Sequence, residues 1–104
     1  MDLLTAVYHA TDRFPVHERY GLQSQFRRAS VSIAANIAEG TGKGGDRELV
    51  RYLRIARGSA SEVECLIHVA VRLNYLTVEA HRDLDARVQS VSRLILALQR
   101  SLTP

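Results

Sequence analysis

Arginine supplies most of the chemistry open to this chain. Lys43, Arg47, Arg51, Arg54 and Arg57 fall within fifteen residues, opposed there by Asp46 and Glu48, so this stretch alone carries the chain's whole net charge of +3. At about 100° per residue along a helix, Arg47, Arg51, Arg54 and the more distant Arg72 point away from an apolar seam through Leu49, Leu53 and Ala56. An outward row of guanidinium groups suits phosphate, through charge-assisted contacts that weaken as salt rises. Lys43, Arg47, Arg51, Arg54 and Arg72 are therefore the candidate residues for binding RNA or DNA. No aromatic residue interleaves the row to stack on bases, and the same pattern also describes an ordinary solvated helix face flanked by Glu48.

A second group consists of polar residues set within or beside apolar helices: Arg27, Arg28, Asn36, Glu39, Arg57, Glu62 and Glu64. A charge in such a setting must be paired. These residues read as a network that fixes helix register and subunit contacts, with Arg57 expected to pair with Glu62 or Glu64; a ligand site is the alternative use of the same groups.

Catalytic and metal chemistry find little support. Di-metal carboxylate bundles need inward glutamates and two Glu-x-x-His motifs. Here Glu64 and His68 are four apart, and His9, His17 and His81 are scattered. Cys65 lies opposite the seam of its helix, with no basic partner that the sequence can establish, and reads as inert. Neither a phosphate-cradling loop ending in Lys-Ser/Thr nor a nucleophile elbow is present. No catalytic residue, metal or cofactor is expected, and the protein is read as a non-enzyme.

The elements that must position these groups are helical throughout. Leu3, Leu4, Val7, Tyr8 and Thr11 share a face of a first helix, which is expected to stop near Phe14 because Pro15 disfavours helical geometry before it. A turn through Val16 to Gly21 follows. The second helix is expected from about Leu22 to Glu39, with Leu22, Phe26, Ala29, Ile33 and Ile37 in one stripe, ending where Gly40, Gly42, Gly44 and Gly45 disfavour further helix. Asp46 is the expected N-cap of the third. Leu49, Leu53, Ala56, Ala60, Val63, Ile67 and Ala70 then step by alternating four and three, widened by Tyr52, Ser59, Leu66 and Leu73, along a helix roughly 45 Å long. After a turn at Asn74 and Tyr75, Thr77 offers another N-cap, and Leu84, Val88, Val91, Ile95, Leu98 and Leu102 repeat the rhythm. So short a connection between long helices requires an antiparallel hairpin.

Together these features predict one all-α domain over 1–104, an antiparallel up-and-down four-helix bundle. At 104 residues there is room for one core, and 46% hydrophobic residues with six aromatics and no Trp build it from Leu, Ile, Val and Ala. One cysteine excludes an internal disulfide framework, and a reduced cytoplasmic setting is the economical expectation. No apolar run approaches the roughly 20 residues of a membrane span, and Asp2 stands where a secretory signal carries basic residues. The run Ala29 to Ala38 is small or apolar almost all round. A helix without a polar face must be covered on several sides, which predicts a second subunit against it, unless this is simply the most buried helix of the bundle.

The elements Gly21-Leu22-Gln23-Ser24-Gln25-Phe26-Arg27-Arg28-Ala29, Ser32-Ile33-Ala34-Ala35-Asn36-Ile37-Ala38-Glu39-Gly40 and Ile55-Ala56-Arg57-Gly58-Ser59, with Glu62 and Glu64 after them, resemble those of the 23S rRNA intervening-sequence protein family. The resemblance runs from the first helix to the Leu73-Asn74-Tyr75-Leu76 turn. It departs from the family pattern at Lys43, commonly Arg, and at Gly45, commonly a capping Ser. The resemblance implies a four-helix bundle assembled as a ring-shaped homopentamer, a bacterial source and no known enzymatic activity. Some relatives are encoded within ribosomal RNA genes; others are accessory variability proteins of diversity-generating retroelements, which engage nucleic acid and a reverse transcriptase. The expected partners are thus further copies of the chain, RNA or DNA, and a protein such as a reverse transcriptase, with a protein-binding scaffold as the alternative.

Overall fold

Local chemistry sets the ends of the helices in the computed structural model, which describes residues 2–42 and 44–103. The first helix, α1 (Leu3–Thr11), starts at Asp2, whose carboxylate accepts the Thr5 N–H at 2.8 Å. That bond, made to the ionised form, is the main reason Asp2 titrates below the usual aspartate value. The helix stops at Thr11, short of the expected Phe14. Phe14 instead turns inward, its N–H on the Thr11 carbonyl at 3.0 Å and its ring buried. A single 3-10 turn, Val16–Glu18, leads to α2 (Leu22–Gly42), where Glu18 Oε1 accepts the Leu22 N–H.

Two expectations about the next junction are corrected. The second helix continues past Glu39 to Gly42, because Gly40 is packed inside it and not at its end. Asp46 is not the cap of α3 (Asp46–Arg72) but its first residue; Gly45, at φ 98°, holds the cap position without a side-chain bond. Asp46 and Glu48 still complement the positive end of the helix dipole from the first turn. At the other end Asn74 adopts φ 60°, Tyr75 N–H bonds the Ala70 carbonyl and Asn74 N–H bonds that of Val71, which together close a Schellman motif. Thr77 then caps α4 (Val78–Leu102) as expected, accepting the Ala80 N–H at 3.0 Å.

The four helices form an antiparallel up-and-down bundle in which neighbours in sequence are neighbours in space. α1 packs on α2, α2 on α3 and α3 on α4, and α4 closes the ring on α1; among the described residues no diagonal pair of helix backbones comes as near. The long dimension, 44 Å, is set by α3. The seam expected from the spacing is the core: Val7, Phe26, Leu53, Val63, Ile67, Leu84, Val88 and Ile95 are all but sealed from solvent. Ala56, Ala60 and Ala70 are equally buried, small enough to let helix backbones approach. Gly40 marks a close approach of α2 to α3. A Cβ there would lie 2.8 Å from Tyr52 Cβ and 3.1 Å from Leu49 Cδ1.

With nine residues against 21, 27 and 25, α1 is too short to cover the groove between α2 and α4 along its whole length. Burial along α4 departs from its pattern for this reason. Leu98, expected in the α4 seam, is 38% exposed because α1 does not reach it, and Leu94 beside it is 60% exposed. Leu73, expected to widen the α3 stripe, falls just beyond the helix in the cap and is 47% exposed. On α2, Val31, Ala34, Ala35 and Ala38 face solvent, so the small apolar run is bare on one side in a single chain.

Candidate nucleic-acid interface

The first three turns of α3 carry the site. Arg47, Arg51 and Arg54 are all exposed on its outer side, as their spacing predicts. With Asp46, Glu48 and Val50 they border an open depression of about 490 Å³, closed at its far edge by Leu102 and Thr103 at the end of α4. Lys43, the fifth member of the expected set, lies outside the described residues.

The three arginines are not equivalent. Arg51 is held by its own helix: Glu48 accepts from Nε at 3.4 Å and from Nη2 at 3.2 Å, and the guanidinium lies 4.5 Å from the centroid of the Tyr52 ring. The Glu48 contact raises Arg51 further above its ordinary pKa. Half-exposed pairs of this kind contribute little to stability, so the arrangement orients Arg51 more than it neutralises it. Arg47 and Arg54 carry no ion pair among the described residues. Their charge is available to an incoming anion, alongside the positive end of the α3 dipole. An aromatic residue does sit beside the row after all. Tyr52, whose spacing assigns it to the seam, is only half-buried and lies with its face under Arg51.

Arg72 does not join this cluster. Eighteen residues separate it from Arg54, about 27 Å along the axis, and it sits in the last turn of α3, where a cation complements the negative dipole end. Its angular direction is the expected one; its axial distance places it with a different end of the molecule.

The polar residues of the second group resolve into separate local contacts. Arg27 ties α1 to α2: Nε donates to Thr11 Oγ1 at 2.9 Å, Nη2 to Asp12 Oδ1 at 2.7 Å and to the Tyr8 carbonyl at 3.4 Å, and the guanidinium lies over the Tyr8 ring. Asn36 donates to the Ser32 carbonyl, and Ser32 meets Ser59 of α3 at 2.7 Å. Glu62 accepts from Gln25 and Glu64 from Ser92, at 3.5 and 3.4 Å. The expected pairing of Arg57 with Glu62 or Glu64 is absent among the described residues, because Arg57 is exposed on α3 and both glutamates face neighbouring helices. Arg28 and Glu39 are exposed on α2. Within one chain Arg27 thus links α2 to α1, Glu62 links α3 to α2 and Glu64 links α3 to α4, while Asn36 bonds within α2. Arg27→Ala is expected to cost about 1–2 kcal/mol in urea unfolding, and Asp12→Ala less than half of that, since Asp12 is mostly exposed and the Thr11 and Tyr8 contacts survive it.

Another cluster, which no spacing in the sequence anticipates, clamps one end of the bundle. The Tyr75 hydroxyl donates to Glu18 Oε2 at 3.0 Å and lies 3.3 Å from His17 Nε2, joining the α3–α4 turn to the 3-10 turn. Desolvation, and then the Glu18 contact, hold this phenol above the usual tyrosine value. Its partners are 57 and 58 residues away, beyond the reach of any local pattern. Among the described residues no group of three or more His, Cys, Asp or Glu is placed to hold a metal, and no helix is long and apolar enough to cross a membrane.

Residues 1–97 match the family model described as 23S rRNA-intervening sequence protein. A crystal structure of a protein of unknown function from the S23 ribosomal protein family of Bacteroides thetaiotaomicron superposes with a TM-score of 0.75. The match covers 93% of this chain and 97% of that one at 22% identity, a likeness of fold. No curated protein matches the chain.

Proposed function

This chain belongs to the 23S rRNA-intervening sequence protein family, and from that premise we propose that it is a non-enzymatic cytoplasmic bundle that assembles as a homopentamer and grips the phosphate backbone of RNA or DNA through Arg47, Arg51 and Arg54. The observation that carries this reading is the placement of these arginines side by side around one open depression, with Arg47 and Arg54 uncommitted to any carboxylate among the described residues. Self-assembly is supported by bare apolar surface in two places: Leu94 and Leu98 on α4 beyond the reach of α1, and Val31 with Ala34, Ala35 and Ala38 on the outer side of α2. Two distinct patches suit a heterologous contact, which closes into a ring when the rotation permits. Rotational assembly would repeat the basic depression in every subunit and sum its field.

The test is a binding titration of structured RNA and of duplex DNA across low to moderate salt. Affinity should fall linearly in log–log form, and Arg47→Ala with Arg54→Ala should flatten the slope by about 0.7–0.9 for each phosphate left without its arginine. No binding at any salt, or an unchanged slope in the double variant, would overturn the reading. The bare apolar groove favours a second one, a scaffold that takes a partner protein such as a reverse transcriptase; it gains ground if the chain is a well-folded monomer in light scattering.

A further inference from the structure

At the opposite end of the molecule from the arginines, the contact between α1 and α4 leaves a gap. Three alanines meet where larger side chains would fill the gap, Ala6 and Ala10 on α1 and Ala80 on α4, and they leave a crevice of about 260 Å³ floored by Leu84. Leu76 and Tyr75 also line it, and the Tyr75 hydroxyl is engaged by Glu18. Its lining is apolar and polar in about equal parts, the polar share coming from His9, Arg13, Thr77 and Asp83.

We propose that this crevice binds a small organic monocarboxylate with a compact apolar body. Arg13 and His9 stand at the mouth four residues apart, within reach of the same space. The carboxylate at the mouth, Asp83, is already claimed by Arg87, whose Nε donates to both of its oxygens at 2.9 and 3.0 Å. Arg13 has no ion pair among the described residues, so the mouth presents one unbalanced cation. The first turn of α4 opens on the same space, where Glu79 in that turn offsets the positive end of the helix dipole, so Arg13 is the cation that a guest would meet. A planar guanidinium beside an apolar hollow recognises a carboxylate carried on hydrocarbon, the two oxygens at the rim and the body inside. The volume lies below the range that holds drug-sized ligands, which restricts the guest to a single small ring or a short branched chain. A free inorganic anion would leave the apolar floor unused, and an amine would find its counter-charge taken.

The test uses the intact chain, with benzoate as probe and benzamide and inorganic phosphate as controls, followed through the backbone amide resonances of Leu76 and Ala80. Benzoate is expected to shift them saturably, and benzamide to bind about fivefold more weakly for want of the Arg13 contact. Arg13→Gln should bring benzoate down to the level of benzamide, and Ala80→Leu, which fills the hollow with a good helix former, should abolish both while the helical circular dichroism is retained. Absence of a saturable benzoate shift overturns the proposal, as does equal response to phosphate, or benzoate binding that survives Ala80→Leu. Should the leucine variant fail to fold, Arg13→Gln decides alone, since that side chain is on the exposed rim: unchanged benzoate affinity refutes the assignment.

Discussion

Phe26→Ala is expected to lower the free energy of unfolding by about 3–5 kcal/mol, against a total of roughly 5–15 kcal/mol for a domain of ordinary stability. The ring has no solvent exposure and stands at the head of an aromatic row. Its centroid lies 6.1 Å from that of Phe14 in an edge-to-face arrangement, and Phe14 lies 5.3 Å from Tyr75. The row joins α2, the linker after α1 and the turn before α4. Truncation therefore removes buried area, leaves a cavity that three separate segments must relax to fill, and unseats Phe14. Phe26→Leu keeps most of the volume and should cost less than about 1.5 kcal/mol. Urea unfolding at several protein concentrations measures both, because self-association would make the midpoint depend on concentration. If the alanine variant lost under about 1 kcal/mol, the site would have collapsed without strain and the row would not hold the linker in place.

At the other end, Gly40→Leu should cost about 3 kcal/mol or more, and Gly40→Ala about 1 kcal/mol net. An alanine in a helix interior is favoured over glycine by nearly 1 kcal/mol, so the loss is a difference of two effects. Overpacking wins because the obstacle at 2.8 Å is the Cβ of Tyr52, an atom that moves only with the backbone of α3. Gly58 supplies the contrast. It lies in the middle of α3, where an added Cβ would meet nothing within 4 Å, so Gly58→Ala should stabilise the chain by about 0.5–1 kcal/mol. Thermal and urea unfolding of the three variants would give opposite signs at the two glycines; a stabilised Gly40→Ala would mean that α2 and α3 separate more readily than their packing indicates.

These two glycines also show what a sequence can and cannot disclose. The helical count and the long seam from Leu53 to Ala70 are legible because a four-three rhythm is a property of one stretch of chain and its burial follows from period alone, while the family resemblance rests on particular elements such as Ser32 to Gly40. Thr77 is legible for the same reason, a cap being a contact over three residues. Gly40 reads as a helix stop, since its real constraint is the nearness of Tyr52, which no local pattern carries. Leu98 fits the core rhythm because that rhythm continues through it, whereas its cover depends on how far α1 extends. Arg47, Arg51 and Arg54 are aimed as their spacing indicates, but the depression that joins them owes its far edge to Leu102 and Thr103. Charge and sequence proximity assign partners to Arg57, and long side chains on a solvated helix face do not obey that rule.

The order of neighbours around the bundle bears on how the chain reaches its structure. Three of the four helix contacts join segments that follow one another directly, so each closes a short loop at small entropic cost and can form early. The remaining contact, α1 on α4, spans the length of the chain and engages the shortest helix. The three sequential hairpins form the natural nucleus, and the closure of α4 on α1 is the non-local contact that completes the native state.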